Sequence, residues 1–355
     1  MKKTTITIIA IVLILIIAGS SYEVYRLNTA PSTTTYQKGT VISIVDENGD
    51  TVNITEPVNR IVCLDSDATE IICALGCENK IVAVDATSIF PPSVAAIPDL
   101  GQAYTTSTES ILALNPDLVI ANAMLNYSAP TVNQLEAAGI PVFLDASTNV
   151  NLIPPANETI IDTTCTLVTQ LGTILNEQAN ATKIVNAMQS YNNLVSGRIA
   201  TLTPSEEPTV YFEWYFEWET YTCPYIAQAG GIDIASNESI VNPTLSPEFV
   251  TQANPDVIID MISSPDHILS DFTTAQAQIE SRPALQGTTA VQEGNVYIID
   301  GTIYGGLTCL QGYLQWAKWL HPTLFKDVDP AAVQQQFLQE FYGSNVTLQG
   351  VYSYP

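Results

Sequence analysis

Residues 109–120 read Glu-Ser-Ile-Leu-Ala-Leu-Asn-Pro-Asp-Leu-Val-Ile, and residues 248–259 read Glu-Phe-Val-Thr-Gln-Ala-Asn-Pro-Asp-Val-Ile-Ile. In both, a short helical pattern stops at Asn-Pro-Asp and an apolar run follows. Proline cannot continue a helix, and aspartate suits the turn that enters a strand. The run itself fits a strand buried on both faces. One helix-turn-strand unit written twice, once in each half of the chain, implies two similar lobes.

Working outward, strands and helices alternate. Residues 60–64 read as a strand, and 67–75 as a helix capped from Asp65-Ser66-Asp67 and ended by Gly76. Strands follow at 80–84, 117–121 and 141–144, with helices at 110–114 and 130–138 between them. Such alternation predicts a parallel sheet with helices on both faces. Before it, residues 40–45 and 50–54 flank Asp46-Glu47-Asn48-Gly49, a tight-turn hairpin signal. Residues 158–202 break the alternation with almost no Gly or Pro and a helical period, so one long helix is expected, bent near Asn176. Strands resume at 209–216, 256–260 and 295–300, and residues 311–341 are mainly helical. The expected fold is therefore α/β: two parallel-sheet, Rossmann-like lobes joined by one long α-helix, with a ligand cleft between them. The segments are 1–27, 28–40, a first lobe at 41–156, the helix at 157–203 and a second lobe at 204–355. Ligands of such sheets bind beyond the carboxyl ends of the strands.

Of 355 residues, 36 are Asp or Glu and 11 are Lys or Arg, a net charge of −25. That surface repels phosphate backbones, which argues against nucleic acid, and it disfavours lying on anionic lipid. Met1-Lys2-Lys3 precedes an apolar run at 6–18, the length of a signal-peptide core. Ala18-Gly19-Ser20 offers a cleavage site, while Tyr22, Val24, Tyr25 and Leu27 could extend the run into an uncleaved anchor. No cysteine precedes Cys63, so a bacterial-type lipoprotein anchor is not expected. Residues 28–40 read as a Thr/Ser-rich linker. Asn-x-Ser/Thr sequons begin at Asn53, Asn126, Asn157, Asn180, Asn237 and Asn345. An extracellular place on the membrane face, N-terminally anchored or secreted, is expected. Cys63, Cys73, Cys77, Cys165, Cys223 and Cys309 match no zinc spacing and read as small buried side chains, with a Cys223–Cys309 disulfide left open.

Several motifs now stand in order. Arg60-Ile61-Val62 is followed by Ala68-Thr69-Glu70-Ile71-Ile72-Cys73-Ala74-Leu75-Gly76, then the two Asn-Pro-Asp entries. Gly230-Gly231-Ile232-Asp233-Ile234-Ala235, the run 290–297 and Ala317-Lys318-Trp319-Leu320-His321-Pro322 complete the set. Over residues 40–330 this pattern resembles the periplasmic-binding proteins for iron-siderophores and vitamin B12, whose two lobes are joined by a single rigid helix. The resemblance implies an extracytoplasmic solute-binding protein of an ABC importer, not an enzyme. Its ligand would be an iron complex, a corrinoid or a similar metal chelate, handed to a permease with a cytoplasmic ATPase. No resident cofactor and no metal held by the protein's own side chains are expected. In that family an acidic residue on each lobe docks onto permease arginines. By motif position these are Glu70 and Glu248, each early in a helix where negative charge is favoured.

Loops after strands supply the ligand candidates: Asp65, Ser88, Tyr104, Asn122 and Tyr127 on the first lobe, and Trp214, Trp218 and Tyr304 on the second. Glu213-Trp214-Tyr215-Phe216-Glu217-Trp218-Glu219-Thr220-Tyr221 is the most unusual stretch, since aromatics give broad rigid surfaces for a flat or bulky ligand. Corrinoid-binding relatives place aromatics in first-lobe loops, where this chain has Thr87, Gln102 or Ala103, and Asn122, with only Tyr104, Tyr127 and Phe90 near. Siderophore binders often use arginines, which are scarce here, so a neutral or cationic metal complex suits the chain better. His321 reads as structural, and His267 as an exposed side chain. A surface receptor or adhesion module of the same fold is the alternative. A hydrolytic enzyme is a weaker one, because no nucleophile elbow, phosphate loop or His-Glu-x-x-His helix occurs.

Overall fold

The structure, a computed structural model, describes residues 39–46, 48–122, 129–145, 158–221, 223–236 and 243–355. The segment 1–27 and most of the linker therefore lie outside the described residues, as do Asn126, Tyr127, Asn157 and Asn237. An antiparallel hairpin, β1 (Val41–Val45) and β2 (Thr51–Thr55), opens the fold, with Asp46 accepting the amides of Asn48 and Asp50 across its turn.

The first lobe is a parallel sheet of β3 (Ile61–Leu64), β4 (Ile81–Val84), β5 (Leu118–Asn122) and β6 (Val142–Asp145), in spatial order β4-β3-β5-β6. The second contains β7 (Thr209–Trp214), β8 (Ile232–Asp233), β9 (Val257–Ile262) and β10 (Val296–Asp300), in order β8-β7-β9-β10. The two orders are the same once the strands are counted within each lobe. A short antiparallel strand, β11 (Ser353–Tyr354), closes the far edge of the second sheet.

The repeated Asn-Pro-Asp explains that likeness. It follows α2 (Thr108–Ala113) in the first lobe and α7 (Pro247–Ala253) in the second. Asn115 and Asn254 take left-handed backbone, with φ of 46° and 48°, a conformation asparagine tolerates at a helix end. The aspartate then clips neighbouring strands together. Asp117 accepts the amides of Asn59 and Arg60 at 2.8 and 2.9 Å, while Asp256 accepts the amide and hydroxyl of Thr209, both at 2.8 Å. Each clip sits where the sheet's central strand begins.

The helical stretch between the lobes is broken rather than bent. α4 (Ile160–Ile174) ends at Leu175, Asn176 turns the chain with φ 61°, and α5 (Gln178–Ile199) runs back along α4. Asp162, near the start of α4, accepts from Gln189 and Asn192 of α5. α5 is the connecting helix: it begins against α4, and near its end Arg198 pairs with Asp327 at 2.7 Å and the carbonyl of Leu324.

The first helix, α1 (Ser66–Ala74), is buried almost throughout, and α10 (Cys309–Leu320) buries most of its length in the second lobe. The remaining helices are α3 (Ala129–Ala137), α6 (Pro224–Gln228), α8 (Leu269–Ser281), α9 (Thr289–Glu293) and α11 (Pro330–Phe341). All six cysteines are buried and free, so the open Cys223–Cys309 pairing is not made. Among the described residues no helix is long and apolar enough to cross a membrane.

Candidate functional site

The carboxyl ends of the two sheets meet. Asp67 and Glu70, just past β3, lie against Gly305 and Gly306, just past β10. A Cβ on Gly306 would stand 2.6 Å from the Glu70 carboxylate, and Gly306 has φ +58°, so glycine is required there. The Glu70 carboxylate accepts the amides of Leu307 and Thr308 at 3.0 and 3.3 Å, capping α10 from the opposite lobe. Tyr342 donates to the Glu70 carbonyl. Burial, and then Asp67, push this carboxyl well above its ordinary range.

Glu70 was expected on the surface as half of a docking pair, and that placement is corrected. It is 5% exposed because it fills the seam between the lobes. The residue that matches Glu248 in structure is Glu109. Both are the second residue of their helix, both follow an N-cap serine (Ser107 or Ser246) that accepts a backbone amide, and both are exposed.

The first lobe's floor is a row of strand ends: Asp65 after β3, Asp85 after β4, Asn122 ending β5 and Asp145 ending β6. Asp65 accepts from Asn122 at 3.0 Å and from the Ala68 amide at 2.7 Å, which caps α1. Burial first, then Asp145 and Asp67, raise its carboxyl well above the usual range. Ser88 donates to Asp85 at 2.6 Å and meets the Thr69 hydroxyl at 3.0 Å. It is 6% exposed, so it braces the floor instead of reaching a ligand. Tyr104 stands on a short turn, 47% exposed at the rim.

An aromatic chain runs inward from the second lobe's strand ends, with Trp214 and Tyr304 half-buried and Tyr221 and Tyr225 fully inside the core. Trp214, Tyr221, Tyr304 and Tyr225 follow one another with ring centroids 5.1, 6.2 and 4.5 Å apart. The Tyr221 and Tyr304 hydroxyls bond each other. Tyr215, unmarked as a ligand residue in the sequence, lies across the strand ends: its amide donates to the Met261 carbonyl, and its hydroxyl reaches Gly301. Burial and then Asp300 push its phenol up to about 12. Phe216 at the tip is 68% exposed. Trp218 departs from expectation. It sits on the other face of the sheet, stacked on Tyr211 with centroids 6.3 Å apart. Positive φ at Tyr215 (61°) and Trp218 (64°) breaks the strand alternation that would have turned Trp218 inward.

His267, expected exposed, is instead largely buried: it packs on Tyr352, and its Nδ1 is 3.9 Å from Asp300. His321 bonds the Gly230 carbonyl at 3.0 Å, a structural role. Among the described residues no group of His, Cys, Asp or Glu could hold a metal ion. The strand-end loops 65–66, 85–107, 215–221, 263–268 and 301–308 contain no lysine or arginine, and the sequence at 123–128 and 146–157, outside the described residues, has none either.

Two lobes of one topology, a connecting helix and a seam where their strand ends meet define a two-lobed binding protein. The profile of the periplasmic binding protein family matches residues 61–302, and the chain belongs to that family. A Bacillus subtilis protein described as an uncharacterized ABC transporter substrate-binding lipoprotein is 24% identical over 295 residues, covering 81% of this chain and 87% of its own. A cobalamin-binding protein of Halobacterium salinarum is 25% identical over 265 residues, covering 72% of this chain and 67% of its own. Among solved structures, the TroA-like periplasmic binding protein FepB from Veillonella parvula superposes with a TM-score of 0.71 at 22% identity, covering 88% of this chain and 99% of its own. The family consists of substrate-binding proteins, not enzymes.

Proposed function

We propose that this protein works on the outer face of the cell membrane, tethered or released there by its N-terminal segment. It binds a metal chelate of the corrinoid or ferric-siderophore kind and delivers it to an ABC permease. The cobalamin-binding relative supports the corrinoid class. One observation carries the choice within that class: no described strand-end loop has a lysine or arginine, the first lobe's strand ends carry carboxyl and amide groups, and the second lobe offers Trp214, Tyr304, Tyr215 and Phe216 with some exposure. An anionic ligand would lose its hydration with no cation to meet it. A neutral or cationic complex with a broad apolar face finds stacking on one side and acceptors on the other.

The test is a titration of the purified protein against cyanocobalamin, a cationic ferric trihydroxamate and a trianionic ferric tris-catecholate. Cyanocobalamin or the trihydroxamate binds in the micromolar range or tighter, and the tris-catecholate binds at least a hundredfold more weakly. Preference for the tris-catecholate would overturn the charge argument. Docking onto permease arginines then runs through Glu109 and Glu248, whose exposed carboxylates can each accept a guanidinium fork.

A further inference from the structure

The turn that follows β7 holds two non-glycine residues in left-handed backbone, Tyr215 and Trp218, and exposes two aromatics, Tyr215 at 44% and Phe216 at 68%. Strain of this kind persists only where the surroundings over-determine it. Exposed aromatics held in one conformation also imply something that meets them.

What over-determines the turn is a buried ion pair behind it. Arg282, just past α8, donates twice to Glu213, Nη1 to Oε2 and Nη2 to Oε1, both at 2.6 Å. Glu213 Oε2 also accepts the Trp218 amide at 2.9 Å and the Tyr211 hydroxyl at 2.7 Å. The guanidinium lies over the Trp218 ring, 5.1 Å from its centroid, a cation–π arrangement. Trp218 donates its indole N–H to Glu217, and its carbonyl accepts from the Leu245 amide. One end of the turn is thus bolted to the outward face of the sheet. The other end is fixed by the Tyr215 amide on Met261 and the Trp214 amide on the Glu219 carbonyl. Between these fixings the chain leaves Phe216 exposed at the tip and lays Tyr215 across the strand ends, its hydroxyl against Gly301.

We infer that Arg282 is a positioning residue for the cleft: through Glu213 and Trp218 it sets the aromatic turn, and Phe216 with Tyr215 forms the surface that meets an apolar ligand face. This inference rests on the proposed cleft for its ligand, but not for its geometry. A bidentate fork and a ring-stacked plane are features only arginine supplies, so Arg282→Lys keeps the charge and loses the positioning.

The first measurement needs no ligand. Hydrogen exchange is followed at the amides of Trp214, Tyr215, Trp218 and Glu219, with the β9 amides as the internal reference. In Arg282→Lys and Glu213→Gln the turn amides exchange at least tenfold faster while β9 keeps its protection. Unchanged protection of the turn, or equal loosening of turn and β9, would overturn the assignment. The second measurement uses cyanocobalamin and the cationic ferric trihydroxamate. Arg282→Lys weakens the bound probe about tenfold, the pair Tyr215→Ala/Phe216→Ala weakens it at least as much, and adding Arg282→Lys to that pair weakens it no further, because all act through one turn. Additive losses would mean that Arg282 acts elsewhere. If neither probe binds the unaltered protein, the ligand reading fails by itself, and the exchange data alone decide the role of Arg282.

Discussion

At the scale of single residues, the sheet register sets Glu213 of β7 beside Asp260 of β9, and only Glu213 has Arg282 as a bidentate partner. Burial, with Glu213 adding to it and Arg282 opposing, pushes the Asp260 carboxyl up to about 7. Burial lifts Asp233 to about 6. A carboxyl raised in the folded state holds its proton longer there than in the unfolded chain. The stability it contributes is therefore full below the ordinary carboxylate range and lost as pH rises through the folded value. Thermal unfolding followed between pH 4 and pH 8 will show midpoints that fall with rising pH. Asp260→Asn will flatten the slope by an amount on the order of 2–4 kcal/mol. A slope unchanged in Asp260→Asn would exclude this residue as its source. None of this is written in the local sequence, where an aspartate inside an apolar strand carries no mark of its neighbour one strand away. The paired Asn-Pro-Asp was legible because each of its jobs is local: a left-handed cap, a helix stop and a clip to the adjacent strand. The burial of Glu70 was not legible, because a glutamate early in a helix looks the same whether it meets water or the opposite lobe.

At the scale of elements, the α4–α5 hairpin is where backbone proximity decides the sign of a substitution. A Cβ on Gly172 of α4 would come within 2.4 Å of the Ala181 Cβ on α5, whereas one on Gly197 would meet nothing within 4 Å. Alanine is favoured over glycine inside a helix by about 1 kcal/mol, and overpacking a tight contact costs about 1–3 kcal/mol. Gly197→Ala will therefore stabilise by about 0.5–1 kcal/mol, and Gly172→Ala will destabilise by about 1–2 kcal/mol, both read from denaturant midpoints. The same sign for both would show that the contact relaxes freely. The scarcity of Gly and the lack of Pro through this stretch predicted helix correctly, but the fold-back at Asn176 is a tertiary event that periodicity does not register. The aromatic turn misled in a related way: strand alternation fails where φ turns positive, so Trp218 and Tyr215 exchange the roles their spacing suggests.

At the scale of the whole molecule, the two lobes share strand order, clips and an exposed glutamate at the same place on corresponding helices. Two equivalent carboxylates, one per lobe, suit a partner that touches both lobes at once. On the proposed function, charge reversal at Glu109 and Glu248 together will abolish uptake of the ligand in cells while leaving the affinity of the purified protein within twofold. Glu70→Gln, inside the seam, will not reproduce that split between binding and uptake. Uptake that survives the double reversal would show that docking does not run through these two carboxylates. Fold class and the two-lobe topology were present in the sequence as repeated local signals. The seam depends on contacts between residues more than two hundred positions apart, Glu70 with Leu307 and Thr308.

The six cysteines, buried and without a disulfide, carry a practical consequence. Every one of these thiols is held above its ordinary ionisation range, chiefly by burial. Nucleophilic attack needs the thiolate and access to it, so maleimide reagents find little to react with in the folded protein. A cysteine introduced on the outside of either lobe would then be the one fast-labelling position. A dye pair placed this way can report the separation of the lobes on single molecules, without first removing any native residue.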